Sequence, residues 1–229
     1  MKLIKFVAAS TSFSRRDAER LIKNSNIKVN GEVADSFIRQ IDPDIDRVEI
    51  NGEIITKNTK KYFKFYKPEG YVCSKDDKHS KTIYNFIGSE YLKYTYVGRL
   101  DKDSSGLLLL TNDGDMIYKL THPSNEVSRE YIIHTEVELS SSEIQKMKNG
   151  IKDKKDLLKC DSVETKNHKK YRLKLHTGRK REIKRMIRYF NNDVTKLKRI
   201  SYGPITLEGL NEGMIKELSE SEFRKLKEI

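Results

Sequence analysis

The chain has 229 residues, 36% of them hydrophobic and 35% charged, which suits one large domain or a small domain joined to a medium one. Its 46 Lys and Arg residues exceed its 34 Asp and Glu residues and give a net charge of +12, which favours a polyanionic partner such as nucleic acid. Two cysteines without metal-binding spacing, and the lack of a long apolar run or signal peptide, argue against disulfide-stabilised, metal-binding and membrane-spanning classes, so a cytoplasmic protein is expected.

Residues 1–56 are predicted to form a small module of helices and hairpins. A helix with one apolar face is indicated by Leu3, Ile4, Phe6 and Val7. A second helix is predicted to begin at Ser14, because a Ser hydroxyl can accept an early backbone N–H and Asp17 favours the positive end of a helix. The pairs Asn30-Gly31 and Asn51-Gly52 tolerate the positive φ angles of tight turns and predict two hairpins.

The polar segment 57–61 lacks periodicity and is interpreted as a linker to a second domain at 62–229. In that domain, strands are predicted at 62–66, 94–98, 107–111, 127–138, 157–164, 169–176 and 194–201. Helices are predicted at 82–87, 114–121, 141–149, 180–191 and 219–227. Long strands with helices inserted between them predict an α+β fold on a mixed or antiparallel sheet.

Positive charge is concentrated in two zones of the chain. Residues 166–199 contain fourteen Lys and Arg against two acids, and residues 1–30 contain seven against two. Residues 31–55 reverse the balance, with two basic and seven acidic residues. A Lys-rich composition would raise Lys everywhere, so this clustering indicates two separate contacts with one long polyanion.

A polar loop between two apolar strands runs from Val97 to Gly114 and presents Arg99 and Asp101 two residues apart. Such a loop on a rigid sheet is a good platform for a reactive side chain, although Asp, Ser and Gly also favour plain turns. A calcium loop is disfavoured because the twelfth position from Asp101 is Asn112 rather than Glu.

Three further segments are ambiguous when taken alone. Phe65 to Tyr71 contains Lys67-Pro68-Glu69-Gly70 and is typical of a turn. The segment from Leu175 to Met186 would suit a solvated basic helix face, and Arg129-Glu130-Tyr131 would suit a packed strand.

Taken together, these segments resemble the motifs of the RsuA/RluB/RluE/RluF family of ribosomal RNA pseudouridine synthases. The resemblance implies that Asp101 is the catalytic residue, that Lys184 pairs with it and that Tyr131 is the active-site tyrosine. It also implies RNA or substrate contacts for Arg99, Lys67, Arg181 and Arg185. For the Lys-Pro-x-Gly motif that contains Lys67, it implies a mainly structural role, with the Lys near the wall of the active site. Glu182 departs from the family pattern, which normally has Gln there, and is predicted to pair with Arg181 or Arg185.

The segment from Ser14 to Gly31 resembles the alpha-L RNA-binding motif of ribosomal proteins. The resemblance places Arg15, Arg16 and Lys28 on a helix start and an adjacent hairpin, where they would bind RNA phosphates. The two resemblances together span nearly the whole chain.

The function expected from these resemblances is isomerisation of a uridine in ribosomal RNA, free or in an assembly intermediate. Nothing is oxidised and nothing leaves, so neither a cofactor nor a metal is expected. Leu107 to Leu110 are predicted to form apolar walls around the site. The short C-terminal segment after 219–227 slightly favours the small-subunit branch, and a monomer is expected. The alternatives are a non-catalytic ribosome assembly factor that binds ribosomal RNA, which Glu182 would favour, and a synthase acting on transfer RNA.

Overall fold

The computed structural model describes residues 1–229. The N-terminal part contains helices α1 (Leu3–Ser10) and α2 (Arg15–Lys23) and strands β1 (Ile27–Val29), β2 (Glu32–Val33), β3 (Val48–Ile50) and β4 (Glu53–Ile55). The strands form an antiparallel sheet in the order β2-β1-β3-β4, and a core cluster of 11 buried residues lies between this sheet and the two helices. The predicted start of the second helix and the two predicted turns are confirmed: Ser14 and Asp17 form a capping box on α2, and Asn30 and Asn51 have positive φ angles at the two hairpin turns.

The remaining elements follow in chain order. The strands are β5 (Tyr62–Lys67), β6 (Thr95–Val97), β7 (Ser105–Thr111), β8 (Arg129–Thr135), β9 (Ile151–Asp153), β10 (Asp156–Leu158), β11 (Ser162–Asn167), β12 (Lys170–Leu175), β13 (Val194–Tyr202), β14 (Ile205–Thr206) and β15 (Ile215–Glu217). The helices are α3 (Ile83–Ile87), α4 (Gly114–Thr121), α5 (Ser141–Asn149), α6 (Glu182–Arg188) and α7 (Glu220–Lys227), with 3₁₀ turns at Ser89–Tyr91 and Pro123–Asn125.

A nine-stranded mixed sheet organises this part of the chain. Its central order is β11-β12-β8-β13-β7-β5-β15, with β6 paired to β7 and β14 paired to β13. Every pairing is antiparallel except β13 with β7, which confirms the predicted α+β fold. Three core clusters of 14, 9 and 9 buried residues pack against the sheet.

Two predicted elements are wrong in their bounds. The predicted strand at 157–164 is two strands, because β10 pairs with β9 in a separate hairpin whereas β11 joins the large sheet. The predicted helix at 180–191 begins only at Glu182, because the preceding Arg181 has a left-handed φ of 51°.

The predicted linker 57–61 is hydrogen-bonded to the end of β7. The Asn112 side chain accepts from the Lys61 N–H at 2.9 Å and donates to the Thr59 carbonyl at 3.0 Å. The Thr111 hydroxyl donates to the Lys61 carbonyl at 2.7 Å, and the Lys60 Nζ lies 2.9 Å from an Asp113 carboxylate oxygen. The Thr111-Asn112-Asp113 run at the end of β7 therefore anchors the linker.

Candidate active site

A cleft of about 430 Å³ lies beside the polar loop that precedes β7. The loop, β8, the C-terminal half of β13 and the segment from the end of β12 into α6 all contribute side chains to it. Its apolar lining includes Leu100, Val127, Leu175, Ile183 and Leu197. Leu107 to Leu110, the predicted walls, are wrong as wall residues because they are buried in β7 inside the core.

Asp101 faces this cleft with 39% of its side chain exposed, and its carboxylate lies 3.5 Å from the Arg181 guanidinium. The neighbouring Asp103 receives the Lys184 Nζ at 2.5 Å and the Arg181 guanidinium at 3.9 Å. The structure thus places Lys184 on Asp103, whereas the predicted partner was Asp101. The hydrogen bond and charge of Lys184 hold the pKa of Asp103 below its ordinary value, although partial burial acts in the opposite direction.

Lys67 binds backbone atoms of the same loop. It is fully buried, and its Nζ donates to the carbonyls of Pro68 at 2.9 Å, Asp101 at 3.2 Å and Ser104 at 2.7 Å. Burial lowers the pKa of its ammonium. Lys67 therefore has the structural role that the resemblance implies for it, because its side chain is sealed from solvent and binds backbone oxygens of Pro68 and of the loop; a direct contact with RNA, which was also predicted, does not fit this burial.

Arg199 is a second buried cation beneath the loop, and the sequence reasoning missed it. It is 1% exposed; its Nε donates to the Leu107 carbonyl at 2.7 Å and its Nη1 to the Arg99 carbonyl at 3.4 Å. Gly106 has a φ of +112°, and a Cβ there would lie 2.2 Å from the Arg199 carbonyl oxygen, so the motif needs glycine at this position. The signal that could have identified Arg199 is its place two residues after buried Leu197 on an alternating strand.

Arg181 is presented by a short clamp centred on Glu182. Glu182 is 5% exposed and accepts hydrogen bonds from the Thr177 hydroxyl at 2.6 Å and the Arg179 N–H at 3.0 Å. The predicted pairing of Glu182 with Arg181 or Arg185 is therefore wrong. The carboxylate closes the turn from Thr177 to α6, and this turn carries Arg181 in its left-handed conformation beside Asp101.

Arg185 does not line the cleft. Its guanidinium binds the Asp153 carboxylate at 2.5 Å and the Asp156 carboxylate at 2.8 Å, which connects the β9–β10 hairpin to α6. Its predicted RNA contact stays a prediction, and in the structure these two carboxylates are its partners.

Tyr131 and Arg99 both line the cleft. Tyr131 lies on β8 opposite Arg199 of β13 and is partly buried, and Arg99 is exposed at the start of the loop. Arg129, on the same side of β8, donates to the Tyr202 hydroxyl at 2.9 Å and to the Thr177 carbonyl at 3.1 Å, which links the sheet to the Glu182 clamp.

The three predicted RNA contacts of the N-terminal part lie outside the cleft. Arg15, Arg16 and Lys28 are all exposed on α2 and β1, and none of them lines it. The Arg15 guanidinium approaches Gly114 at the start of α4, so it spans the space between the two parts of the chain.

The family model described as RNA pseudouridylate synthase matches residues 61–189, a segment that includes the loop, Lys67, Tyr131 and the Glu182 clamp. The chain belongs to this RNA pseudouridylate synthase family. Among curated relatives, this pseudouridine synthase is 34% identical to ribosomal large subunit pseudouridine synthase B of Bacillus subtilis, covering 100% of this chain and 96% of that protein. It is 32% identical to ribosomal small subunit pseudouridine synthase A of Haemophilus influenzae, with 99% of both chains covered.

A solved crystal structure of a pseudouridylate synthase also resembles this pseudouridine synthase, with a TM-score of 0.72, 31% identity and 99% of both chains covered. The predicted enzyme class, an isomerase that forms pseudouridine in RNA, is confirmed. No helix of this pseudouridine synthase is long and apolar enough to cross a membrane.

Proposed function

We propose that this pseudouridine synthase modifies a uridine of ribosomal RNA and that Asp101 is its catalytic residue. The observation that carries the proposal is the Asp101 carboxylate, which faces the cleft on a loop held by two buried cations and lies beside Arg181. The named relatives include enzymes of the large and the small ribosomal subunit at 34% and 32% identity. These similarities support ribosomal RNA as the substrate class, and the small-subunit preference stays a prediction.

The reaction breaks the bond between the ribose and the uracil nitrogen, turns the base and rejoins it through carbon five. Uridine and pseudouridine have the same composition, so no oxidant, reductant or leaving group is exchanged. A base inside a helix is unreachable, so the target nucleotide must leave the stack and enter a pocket. The cleft volume of about 430 Å³ falls within the range of small-molecule sites, roughly 300–1,000 Å³.

Each cleft residue has a role in this proposal. Asp101 acts as a nucleophile or as the base that starts glycal formation, and the Arg181 guanidinium lies 3.5 Å from its carboxylate. Tyr131 stacks on the flipped base and assists removal of the carbon-five proton. Arg99 fills the space that the base leaves or holds the RNA backbone. Lys184 binds Asp103 rather than Asp101. It therefore orients the loop through Asp103, two residues after the proposed catalytic carboxylate.

RNA binding is proposed for residues 1–56 and catalysis for residues 62–229, joined by the linker 57–61. The triple substitution of Arg15, Arg16 and Lys28 by Gln tests the first assignment. We expect weaker binding of structured ribosomal RNA with an unchanged rate of the chemical step at saturating RNA, since the three cations lie outside the cleft. Unchanged affinity would refute the assignment.

The decisive experiment maps pseudouridine in both ribosomal RNAs from cells that lack this protein, by carbodiimide modification and primer extension. One site should be missing, and the wild-type protein should restore it whereas Asp101→Asn should not. This result would also assign the ribosomal subunit. If every site persists in the deletion strain and purified protein modifies neither RNA, the proposal fails and the assembly-factor alternative gains support.

A further inference from the structure

The basic zone 166–199 is divided between the two faces of the large sheet. On β12 the buried residues Tyr171, Leu173 and Leu175 alternate with Lys170, Arg172 and Lys174, which are partly exposed. Successive side chains of a strand point to opposite faces, so these cations lie opposite the core cluster that contains the buried three. The same alternation separates Lys196 and Lys198 of β13 from Leu197 and Arg199, which line the cleft.

The strand register brings the outward cations together into one surface. Lys170 of β12 lies opposite His134 of β8, which lies opposite Lys196 of β13. In the next outward row, Arg172 lies opposite Ile132, and Ile132 lies opposite Lys198. We call this surface the outer face; its charged members on β11, β12, β8 and β13 are Glu130, Glu164, Lys166, Lys170, Arg172, Lys174, Lys196 and Lys198.

The outer face carries uncompensated positive charge. Its two carboxylates are occupied, since Glu130 binds Arg172 and Glu164 binds Lys166 at 2.8 Å. The remaining four cations, Lys170, Lys174, Lys196 and Lys198, make no ion pair. Burial, together with the lysines on both sides, lowers the pKa of His134. Cleft cations differ, because Arg181 and Lys184 are already paired with carboxylates of the enzyme itself.

We propose that the outer face binds the phosphate backbone of a double-helical RNA segment distinct from the segment in the cleft. Neighbouring strands are about 4.8 Å apart, so the lysines of β12 and β13, which lie on either side of β8, are separated by about 10 Å across the sheet. A nucleic-acid duplex carries one charge per roughly 1.7 Å of axis and offers several phosphates within that width. The ligand class rests on the proposed function, since the same RNA would supply both segments.

The chemistry of the outer face favours a duplex backbone over other polyanions. Single-stranded RNA is bound by stacking of bases on exposed aromatic rings, whereas the one ring here, Tyr66 at the edge, lies beneath the Lys198 ammonium at 5.6 Å. Membrane-surface binding needs large apolar side chains beside the cations, and Ile132 is partly buried. Lysines act as point charges on phosphates and carry no base recognition, so binding here is independent of sequence.

The test uses the full-length protein and a fluorescein-labelled RNA duplex of about 20 base pairs, somewhat longer than the ~16 that a double-stranded RNA-binding domain spans. The outer-face variant replaces Lys170, Lys174, Lys196 and Lys198 by Gln. The control replaces Lys93, Lys146, Lys152 and Lys225 by Gln; these four are also without ion pairs and outside the cleft, and all are exposed, so the change in net charge is matched. Fluorescence anisotropy is measured across a salt titration, and thermal unfolding verifies that both variants are folded.

We expect the outer-face variant to bind the duplex roughly tenfold to a hundredfold more weakly than the control, with a salt slope smaller by about three. Equal affinity and slope in the two variants would overturn the proposal. So would a loss confined to an Arg99→Gln, Arg181→Gln variant, because the duplex would then lie in the cleft.

Mapping of ribosomal RNA with wild-type protein separates this proposal from the proposed function. An enzyme that modifies ribosomal RNA, combined with an outer-face variant that binds the duplex like the control, refutes the surface alone. A protein that leaves all ribosomal uridines unchanged, combined with the expected loss of duplex affinity, supports the surface and refutes the proposed function.

Discussion

Two sets of cations surround the loop that carries Asp101, and they act on different parts of it. The buried pair, Lys67 and Arg199, donates to backbone carbonyls of the loop and its flanks. The second pair, exposed Arg181 and the largely buried Lys184, binds the carboxylates of Asp101 and Asp103. The first pair thus contacts backbone atoms and the second contacts side chains of the same loop.

Lys67 and Arg199 therefore stabilise the backbone conformation of the loop, whereas Arg181 and Lys184 neutralise the charge of its carboxylates. A buried cation is tolerated when polar atoms satisfy its donors. Carbonyls do so for Lys67 and for part of the Arg199 guanidinium, whose Nη2 has no hydrogen-bond partner, and they neutralise no carboxylate. The Asp101 carboxylate is thus left to the exposed Arg181, whose attraction varies with solvent and bound RNA. Substitutions of Lys67 or Arg199 should alter folding and turnover together. Substitutions of Arg181 or Lys184 should alter properties that depend on charge, such as the pH dependence of stability.

The largest expected effect distinguishes the two carboxylates. Asp101→Asn should lower the single-turnover rate of pseudouridine formation by at least about 10³-fold, because an amide is neither a nucleophile nor a base. Asp103→Asn keeps the reacting carboxylate and should lower the rate by about tenfold. RNA affinity, measured by filter binding, should stay within about threefold for both. Equal losses of rate in the two variants would contradict the assignment of Asp101.

The next effect tests the buried side of the loop. Lys67→Met leaves three carbonyls without their donor, so we expect a loss of about 2–4 kcal/mol in unfolding free energy and about 100-fold in kcat. Lys64→Met is the matched control. Lys64 is also buried on β5, but it binds Glu222 and the Glu208 carbonyl rather than the loop that carries Asp101.

Urea unfolding and single-turnover rates below the melting transition distinguish the two variants. Lys64→Met should lose comparable stability and retain most of its kcat. If both variants lose kcat equally, the effect of Lys67 is general destabilisation and the proposed positioning of the loop is wrong.

A smaller effect tests how Glu182 positions Arg181 beside Asp101. Glu182→Ala removes the acceptor for Thr177 and Arg179 and releases the turn that carries Arg181, so kcat should fall about tenfold. Glu182→Gln should rescue the rate to within about threefold, since its oxygen can accept from Arg179 and its amide can donate to the Thr177 hydroxyl. Ground-state RNA affinity should move little in either variant, and a failure of Gln to rescue would indicate that the negative charge itself is needed.

Chemistry set by sequence neighbours was predictable in this protein. The Ser14 capping box, the two Asn-Gly turns and the loop that presents Asp101 each depend on residues a few positions apart, and the structure confirms them. The boundary at 159–161 was not predictable from alternation, because it depends on long-range strand pairing: β10 pairs with β9 in a separate hairpin, whereas β11 pairs with β12 in the large sheet.

The partners of long side chains were predicted least well. Lys67 meets a carbonyl 34 positions away, Arg185 meets carboxylates 32 and 29 positions away, and Arg181 meets Asp101 across 80 positions. A basic residue near a motif is compatible with substrate binding, with ion pairing or with backbone binding. Only the three-dimensional fold determines which acceptor lies within its reach.

The smallest expected effect is a change in the pH dependence of stability, caused by the ion pair between Lys184 and Asp103. Lys184 holds the pKa of Asp103 below its ordinary value, so Asp103 stabilises the fold above its unfolded pKa, about 3.9, and this stabilisation is lost as pH falls through the lower folded value. In Lys184→Met the folded pKa should move up toward the unfolded value, and the stabilisation should shrink. Melting temperatures of the two proteins should therefore converge toward low pH and differ most at neutral pH, with Asp103→Asn abolishing the pH-dependent part of the difference. A constant difference in melting temperature across the whole pH range would show that Lys184 stabilises α6 by packing rather than through the charge of Asp103.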